Sequence, residues 1–374
     1  MHHYEGVLNK IVSIYLNCGI FFAAMKNFFK NSILLSASLV ISIVILELTI
    51  AVSGVSATAV RTRPVDLTSP YIHAVPNHEY VYALGAFGEI LQHHKTNNYG
   101  FKTEVQFSKY SKSKKSLFIG GSLVMAVQVA PSESAGSILN KKTDYDVYPI
   151  STSRPTLSQH LAYAQFGMNE FIPEKIIFLI TSTNFKQSLL SNDRSVGKFY
   201  FDDENDYVLH LVDYNPGLLK EIFSHSYLLN YIYKNLSIKG LFDRFGEGLF
   251  NKNSQQKNVL FSSAMAITDQ DAMAKTTFFS GLDKLEINPE NILFVFVEDR
   301  PMVYSNEARG SDHPFVEFAK QALKKNYQVL DLHEHFRSHY QVNKQRFEFE
   351  TDGHWNATAN QIVADAIMQY GFLN

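Results

Sequence analysis

Three short polar segments contain residue types that could carry nucleophilic chemistry. Residues 120–122 (GGS) follow an apolar run, and the adjacent glycines allow a sharp turn that would present the Ser122 hydroxyl and N–H to a crevice. Residues 181–184 (TSTN) follow another apolar run and offer a small amide that could donate to a developing oxyanion. In residues 352–354 (DGH), a carboxylate lies two positions from an imidazole that it could orient toward a nucleophile. Each segment taken alone also fits an ordinary turn.

Predicted strands and helices place these segments. Short apolar runs predict strands, and apolar residues at helical spacing predict the helices between them. The predicted strands are Ser116–Gly120, Asp146–Ile150, Lys175–Ile180, Ile292–Val297 and Tyr327–Asp331; the predicted helices are Thr156–Phe166, Phe315–Lys324 and Ala357–Tyr370. Pro149 favours an edge or a strand end, and Thr156 with Gln159 resembles a capping box. The alternation predicts a parallel sheet covered on both faces, with ligands bound beyond the carboxyl ends of its strands.

The order of the segments resembles the SGNH (GDSL-like) hydrolase family over about residues 96–374. Residues 118–129 (FIGGSLVMAVQV) look like the nucleophile block, and residues 148–184 look like the second and third blocks. Residues 351–357 (TDGHWNA) look like the closing block of membrane-anchored envelope members, in which a segment similar to 98–102 (NYGFK) precedes the first strand. The resemblance implies a three-layer α/β/α, flavodoxin-like parallel sheet.

The resemblance also implies catalytic roles. Ser122 would be the nucleophile, and His354 the general base that later protonates the leaving alcohol. Asp352 would hold His354 in the required tautomer. Gly121 occupies the position where the family usually has an aspartate that organises the turn.

Oxyanion donors are implied at three places. They are the Ser122 N–H, the N–H near Ser153 in the second block, and the Asn184 side chain in the third. An alignment shifted by one residue instead places Thr183 at the asparagine position and Asn184 at the following acidic position. Loss of one donor typically lowers the rate by about 10²–10³-fold.

The function implied is a serine esterase or O-acyltransferase acting on ester-linked acyl groups, with acetyl groups on an envelope polysaccharide or glycan as the expected substrate. No organic cofactor or metal is needed for that reaction. The alternative is a catalytically silent relative that binds glycan or scaffolds an envelope assembly. A formal net charge of −2 argues against a nucleic-acid partner. The single cysteine, Cys18, excludes a disulfide framework and a cysteine zinc site.

A long apolar segment accounts for part of the 45% hydrophobic content. Residues 32–55 carry one charge, Glu47, and a helix of that length would cross a hydrocarbon layer of about 30 Å. Lys10, Lys26 and Lys30 precede it and favour a cytoplasmic N-terminus with the later residues outside the cytoplasm. Cleavage as a signal peptide and a true start at Met25 both remain open.

Four regions follow from this sequence. Residues 1–31 are predicted to be cytoplasmic, 32–55 to anchor the chain in the membrane, and 56–95, interrupted by prolines, to form an irregular linker. Residues 96–374 are predicted to form the hydrolase-like body, in the periplasm or outside the cell. An insertion of helices and loops is expected at about 186–290, at the rim of the sheet.

Overall fold

The chain forms two compact units in the computed structural model, Met1–Gly54 and Val55–Asn374. The structure describes residues 2–58, 60, 63–66, 74–185, 188–191, 195–215, 217, 224–236, 269–311 and 313–374, with side chains from residue 25 onward except 269 and 270. Parts of the predicted linker (59, 61–62 and 67–73) and of the predicted insertion (including 218–223 and 237–268) lie outside the described residues.

The second unit is built around one parallel sheet. The described strands are β1 (Glu79–Leu84), β2 (Ile90–Lys95), β3 (Lys114–Gly120), β4 (Tyr145–Ser151), β5 (Lys175–Ile180), β6 (Lys198–Asp202), β7 (Val208–Val212), β8 (Ile292–Phe296) and β9 (Gln328–Asp331). Five of them pair in the order β4-β3-β5-β8-β9, and every pairing is parallel. This confirms the predicted α/β class, because it is the 2-1-3-4-5 order of flavodoxin-like sheets. Pro149 lies in β4, at the edge of the sheet as predicted.

Helices cover both faces of this sheet. The described helices are α1 (His2–Ser53), α2 (Ser122–Met125), α3 (Ala135–Lys142), α4 (Leu157–Phe171), α5 (Tyr227–Asn230), α6 (Asp269–Leu282), α7 (Arg300–Ser305), α8 (Pro314–Lys324), α9 (His333–Asn343) and α10 (Ala357–Tyr370). Helix α3 packs against β4 and α10, whereas α4 packs against β3 and α6. Consecutive residues of β5 from Ile176 to Ile180 are all fully buried. Since alternate residues of a strand point to opposite faces, both faces of the sheet are covered.

Helix α4 begins at the predicted cap. The Thr156 hydroxyl accepts the Gln159 N–H at 3.2 Å, which satisfies one of the donors left free at a helix N-terminus. The Gln159 side chain does not complete a capping box, because its oxygen accepts the N–H of Phe199 in β6 at 2.9 Å. Gln159 therefore fastens the β6–β7 hairpin to the first turn of α4.

The first unit is a single long helix. Within α1, Met25–Ser53 is long and apolar enough to cross a membrane, and a signal sequence would have the same properties. The predicted span of 32–55 falls in this stretch except for its last two residues, which follow the end of the helix.

The predicted linker and insertion both contain β structure. Strands β1 and β2 form an antiparallel hairpin within 56–95, and β6 and β7 form another within 186–290. The interpretation of 56–95 as irregular is therefore wrong for its second half, because Glu79–Leu84 pairs residue by residue with Ile90–Lys95. The insertion likewise differs from the prediction, because it contains a hairpin and because α6 buries Phe278 and Phe279 in the main core.

Candidate active site

Ser122 lies where the parallel sheet can bind a ligand. Strand β3 ends at Gly120, and Ser122 begins α2 at the carboxyl end of the sheet. The strand order reverses between β3 and β5, and such switch points form crevices in open α/β sheets. A side chain at Gly121 would place its Cβ 2.9 Å from Cδ of Pro155, which is closer than packed carbon atoms approach. Glycine at 121 therefore lets the turn after β4 approach the serine.

His354 joins Ser122 to Asp352. The Ser122 Oγ lies 2.8 Å from His354 Nε2, and His354 Nδ1 lies 2.5 Å from Asp352 Oδ1. The same Asp352 oxygen accepts the backbone N–H of His354 at 3.1 Å. Because an ionised carboxylate can only accept, Nδ1 must carry the imidazole proton, which leaves Nε2 to accept the serine proton. The three residues predicted from the sequence are thus brought into one hydrogen-bonded line.

Two further side chains hold the other oxygen of Asp352. Tyr82 Oη donates to Asp352 Oδ2 at 2.9 Å, and Gln128 Nε2 donates to the same oxygen at 3.2 Å. Burial raises the pKa of Asp352, but the hydrogen bonds and charge of His354, with the Tyr82 hydrogen bond, outweigh it and hold the pKa below its ordinary value. Asp352 is therefore kept as an anion beside the His354 imidazole.

Trp355 fixes the loop that carries His354. The indole N–H donates to Glu298 Oε1 at 2.9 Å, and Glu298 lies two residues after the end of β8. The Nε of Arg300 lies 2.9 Å from that same oxygen. Trp355 is fully buried and stacks on Phe336 of α9. The residue after His354 is thus anchored in the core by burial, by stacking and by a hydrogen bond.

The oxyanion candidates lie on two other turns. Ser153 follows β4 and is exposed, and the neighbouring Thr152 N–H is held by the carbonyl of Gly120 at 3.4 Å. Within the described part of the chain, neither the Ser122 N–H nor the Ser153 N–H has a recorded hydrogen-bond acceptor. Both amides are thus available as donors.

Asn184 does not point a free amide toward the site, as the unshifted alignment implies. Its Oδ1 accepts the N–H of Thr181 at 2.6 Å, and its Nδ2 donates to the carbonyl of Pro155 at 2.7 Å. The residue is only 1% exposed, so it connects the turn after β5 to the turn after β4 from inside the protein. Thr183 is the exposed residue of this turn, and its hydroxyl pairs with that of Thr181 at 2.9 Å. These contacts fit the alignment shifted by one residue.

Sequence reasoning missed Tyr82 and Gln128. Gln128 lies in the nucleophile block, but its role requires knowledge of where the closing block folds. Tyr82 lies in the segment 56–95, whose prolines predict an irregular linker rather than a strand. The signal that could have identified β1 was the aromatic and apolar run EYVYAL, followed after a glycine-containing turn by another short run.

Comparisons with known proteins give structural similarity at low sequence identity. No family model matches the chain, and no curated protein matches its sequence. A two-domain esterase active on acetylated mannans, co-crystallised with mannopentaose, is 11% identical; the match covers 69% of this chain and 48% of the esterase, with a TM-score of 0.36. This chain thus matches about half of that esterase.

Two shorter esterase-like proteins also match. A member of the lipolytic protein G-D-S-L family from Veillonella parvula DSM 2008 is 8% identical, with 69% of this chain and 97% of that chain covered and a TM-score of 0.33. A catalytic mutant of an acetylxylan esterase from Geobacillus stearothermophilus is 11% identical, with 70% and 95% covered and a TM-score of 0.33. Because these TM-scores are below 0.5, the fold assignment rests on the strand order of the sheet.

Proposed function

We propose that this protein is a serine esterase or O-acyltransferase of the SGNH type. The observation that supports it is the line of hydrogen bonds from Ser122 through His354 to Asp352. An imidazole held between a hydroxyl and a buried carboxylate is the arrangement that activates a serine.

In the proposed reaction, Ser122 Oγ attacks the acyl carbon of an ester while its proton passes to His354 Nε2. The ester C–O bond then breaks, and His354 returns the proton to the leaving alcohol. Water or a sugar hydroxyl next attacks the acyl-serine and gives its proton to His354. That proton returns to Ser122 Oγ as the acyl group leaves, and Asp352 stabilises the imidazolium during both steps.

The carbonyl oxygen that becomes negative in each step needs donors. We propose the backbone N–H groups of Ser122 and Ser153, with the hydroxyl of Thr183 in the place of an asparagine amide. The exposure of Thr183 and the internal hydrogen bonds of Asn184 support this assignment.

The proposed substrate is an O-acetylated glycan of the cell envelope. This rests on the resemblance of the closing block to membrane-anchored envelope members and on the apolar stretch Met25–Ser53, which we propose is a membrane anchor. The body would then lie outside the cytoplasm, beside such glycans.

The test is hydrolysis of an aryl acetate by the full chain in detergent micelles. Ser122→Ala should lower kcat/KM by at least about 10³-fold, because it removes the nucleophile that the other groups serve. Ser132→Ala is the control and should behave as wild type, since Ser132 is exposed on the 3₁₀ helix Pro131–Glu133 and is not a member of the line from Ser122 to Asp352. Circular dichroism would verify that both variants are folded.

A silent relative that binds glycan is the second candidate function. The internal hydrogen bonds of Asn184 favour it, because they leave the oxyanion without an asparagine donor. Equal slow turnover by wild type and Ser122→Ala would contradict the esterase proposal and leave the binding function.

A further inference from the structure

We propose that Tyr82 and Gln128 are positioning residues that fix the carboxylate of Asp352 so that its Oδ1 faces His354. This inference rests on the proposed serine chemistry and extends it to an element outside the family-like region 96–374. Tyr82 comes from β1, and Gln128 comes from the loop after α2. The side-chain hydrogen bonds of Tyr82 and Gln128 join these residues to each other and to Asp352, so both would act on Ser122 through Asp352.

The donors form a closed ring with the carboxylate. Tyr82 Oη donates to Asp352 Oδ2 at 2.9 Å, Gln128 Nε2 donates to Oδ2 at 3.2 Å, and Gln128 Nε2 also lies 3.3 Å from Tyr82 Oη as its donor. The orientation of the Gln128 amide is determined, because a carboxylate accepts and does not donate. Oδ1 is left for the two N–H groups of His354, so four donors saturate the carboxylate and prevent its rotation.

Burial of the Gln128 amide in this orientation is energetically unfavourable. Gln128 is only 3% exposed, and its Oε1 has no hydrogen-bond partner among the described residues. A buried carbonyl oxygen without a donor is unfavourable, and native proteins rarely contain one. The amide therefore sits where its N–H reaches Asp352 rather than where both of its polar atoms would be satisfied.

The hairpin and the Gln128 loop are assembled together. His94 of β2 makes a hydrogen bond through Nε2 with the carbonyl of Val127 at 2.8 Å, directly before Gln128. Tyr80 of β1 stacks on His94 and packs with Met125 and Val127. The β1–β2 hairpin thus places Tyr82 and also holds the backbone that carries Gln128.

The electrostatic consequence has a definite sign. The titratable side chains that act on Asp352 are His354 and Tyr82, and Gln128 adds a neutral donor. Burial and then the Asp352 charge raise the pKa of Tyr82, so its hydroxyl stays protonated and remains a donor. Removing a donor from Oδ2 makes the Asp352–His354 pair bind its proton more tightly. The acid limb of the pH–rate profile should therefore move to higher pH.

The test compares Tyr82→Phe with Tyr80→Phe in the full chain. Tyr80 is a matched control, because it lies on the same strand and its buried hydroxyl has no partner among the described residues. Tyr82→Phe should lower kcat for an aryl acetate about 10-fold with KM unchanged, as expected for a lost hydrogen bond to a charged group. It should also move the acid limb upward, whereas Tyr80→Phe should change neither.

Gln128→Met provides a second, independent variant. It keeps the length of the side chain and removes the N–H, so it should reproduce both effects. In the double variant with Tyr82→Phe, kcat should fall by less than the product of the two single fold-changes, because both donors act on one oxygen. Equal kinetics for Tyr82→Phe and Tyr80→Phe, or a lower kcat without movement of the acid limb, would overturn the proposal.

A readout without turnover separates this proposal from the proposed function. In histidine-labelled protein, the imidazole resonance assigned through His354→Gln should move in Tyr82→Phe and keep its wild-type position in Tyr80→Phe, because only Tyr82 is hydrogen-bonded to Asp352. That displacement in a protein without serine-dependent activity would support the positioning role while rejecting the esterase. Identical resonances in the two variants, alongside normal Ser122-dependent turnover, would reject the positioning role alone.

Discussion

Asn184 contributes to the candidate site through two turns of backbone. Its amide holds the N–H of Thr181 and the carbonyl of Pro155, so it fixes the turns after β5 and β4 relative to each other. Thr183 is left as the exposed member of the turn. Under the proposed function, Asn184 organises the turn and the Thr183 hydroxyl donates to the oxyanion.

Thr183→Val tests whether the Thr183 hydroxyl donates to the oxyanion. Valine keeps the shape and removes the hydroxyl, so kcat should fall roughly 10²-fold, as for a lost oxyanion donor. The melting temperature should stay unchanged, because the hydroxyl is exposed. Ser182→Ala in the same turn is the control in the same assay. Indistinguishable kcat values for these two variants would exclude Thr183 as a donor.

The turn after β4 packs closely against the turn after β3. Pro155 lies against Gly121, and the carbonyl of Pro155 accepts the Asn184 amide. An aspartate at position 121, which the resemblance to SGNH hydrolases leads one to expect, would need a Cβ close against the Pro155 ring. Glycine at 121 and proline at 155 therefore fit each other sterically.

The pair can be tested by a double-mutant cycle. Gly121→Ala should lower the free energy of unfolding by about 1–3 kcal/mol, because the added methyl group meets the ring of Pro155. Adding Pro155→Ala should recover part of that loss, since the ring atom Cδ is then absent. Thermal unfolding of the four proteins measures the coupling. Strictly additive losses would show that the ring is not what excludes a side chain at 121.

The sequence predicted the elements better than the contacts between them. The apolar run Lys175–Ile180 matches β5 residue for residue, because a buried parallel strand is defined by a local pattern. Tyr82 could not be predicted as a partner of Asp352, since the two are separated by 270 positions and no local pattern specifies such a pairing. The line from Ser122 to Asp352 was predicted only through the resemblance of whole blocks, and the roles of its residues stay predictions.

We expect helix α1 to be retained in the mature protein as a membrane anchor. The full chain should remain in the membrane pellet after alkaline carbonate extraction, because Met25–Ser53 would lie in the hydrocarbon layer. A chain beginning at Val55 should be found in the supernatant. Protease added to spheroplasts, whose cytoplasmic membrane is intact, should digest residues beyond 55 if the body lies outside the cytoplasm. Mature protein that begins near Ser56 would instead identify a cleaved signal sequence.

Ser122 is synthesised well before His354, because the two positions are separated by 232 residues. At a synthesis rate of roughly 5–20 residues per second, a ribosome needs roughly 12–46 s to add 232 residues. During that interval the nascent chain contains a serine without its base, and a serine hydroxyl alone is a weak nucleophile. Under the proposed chemistry, the half-made protein is harmless to the acyl esters of the cell that makes it, and reactivity appears only once the chain has folded back on itself.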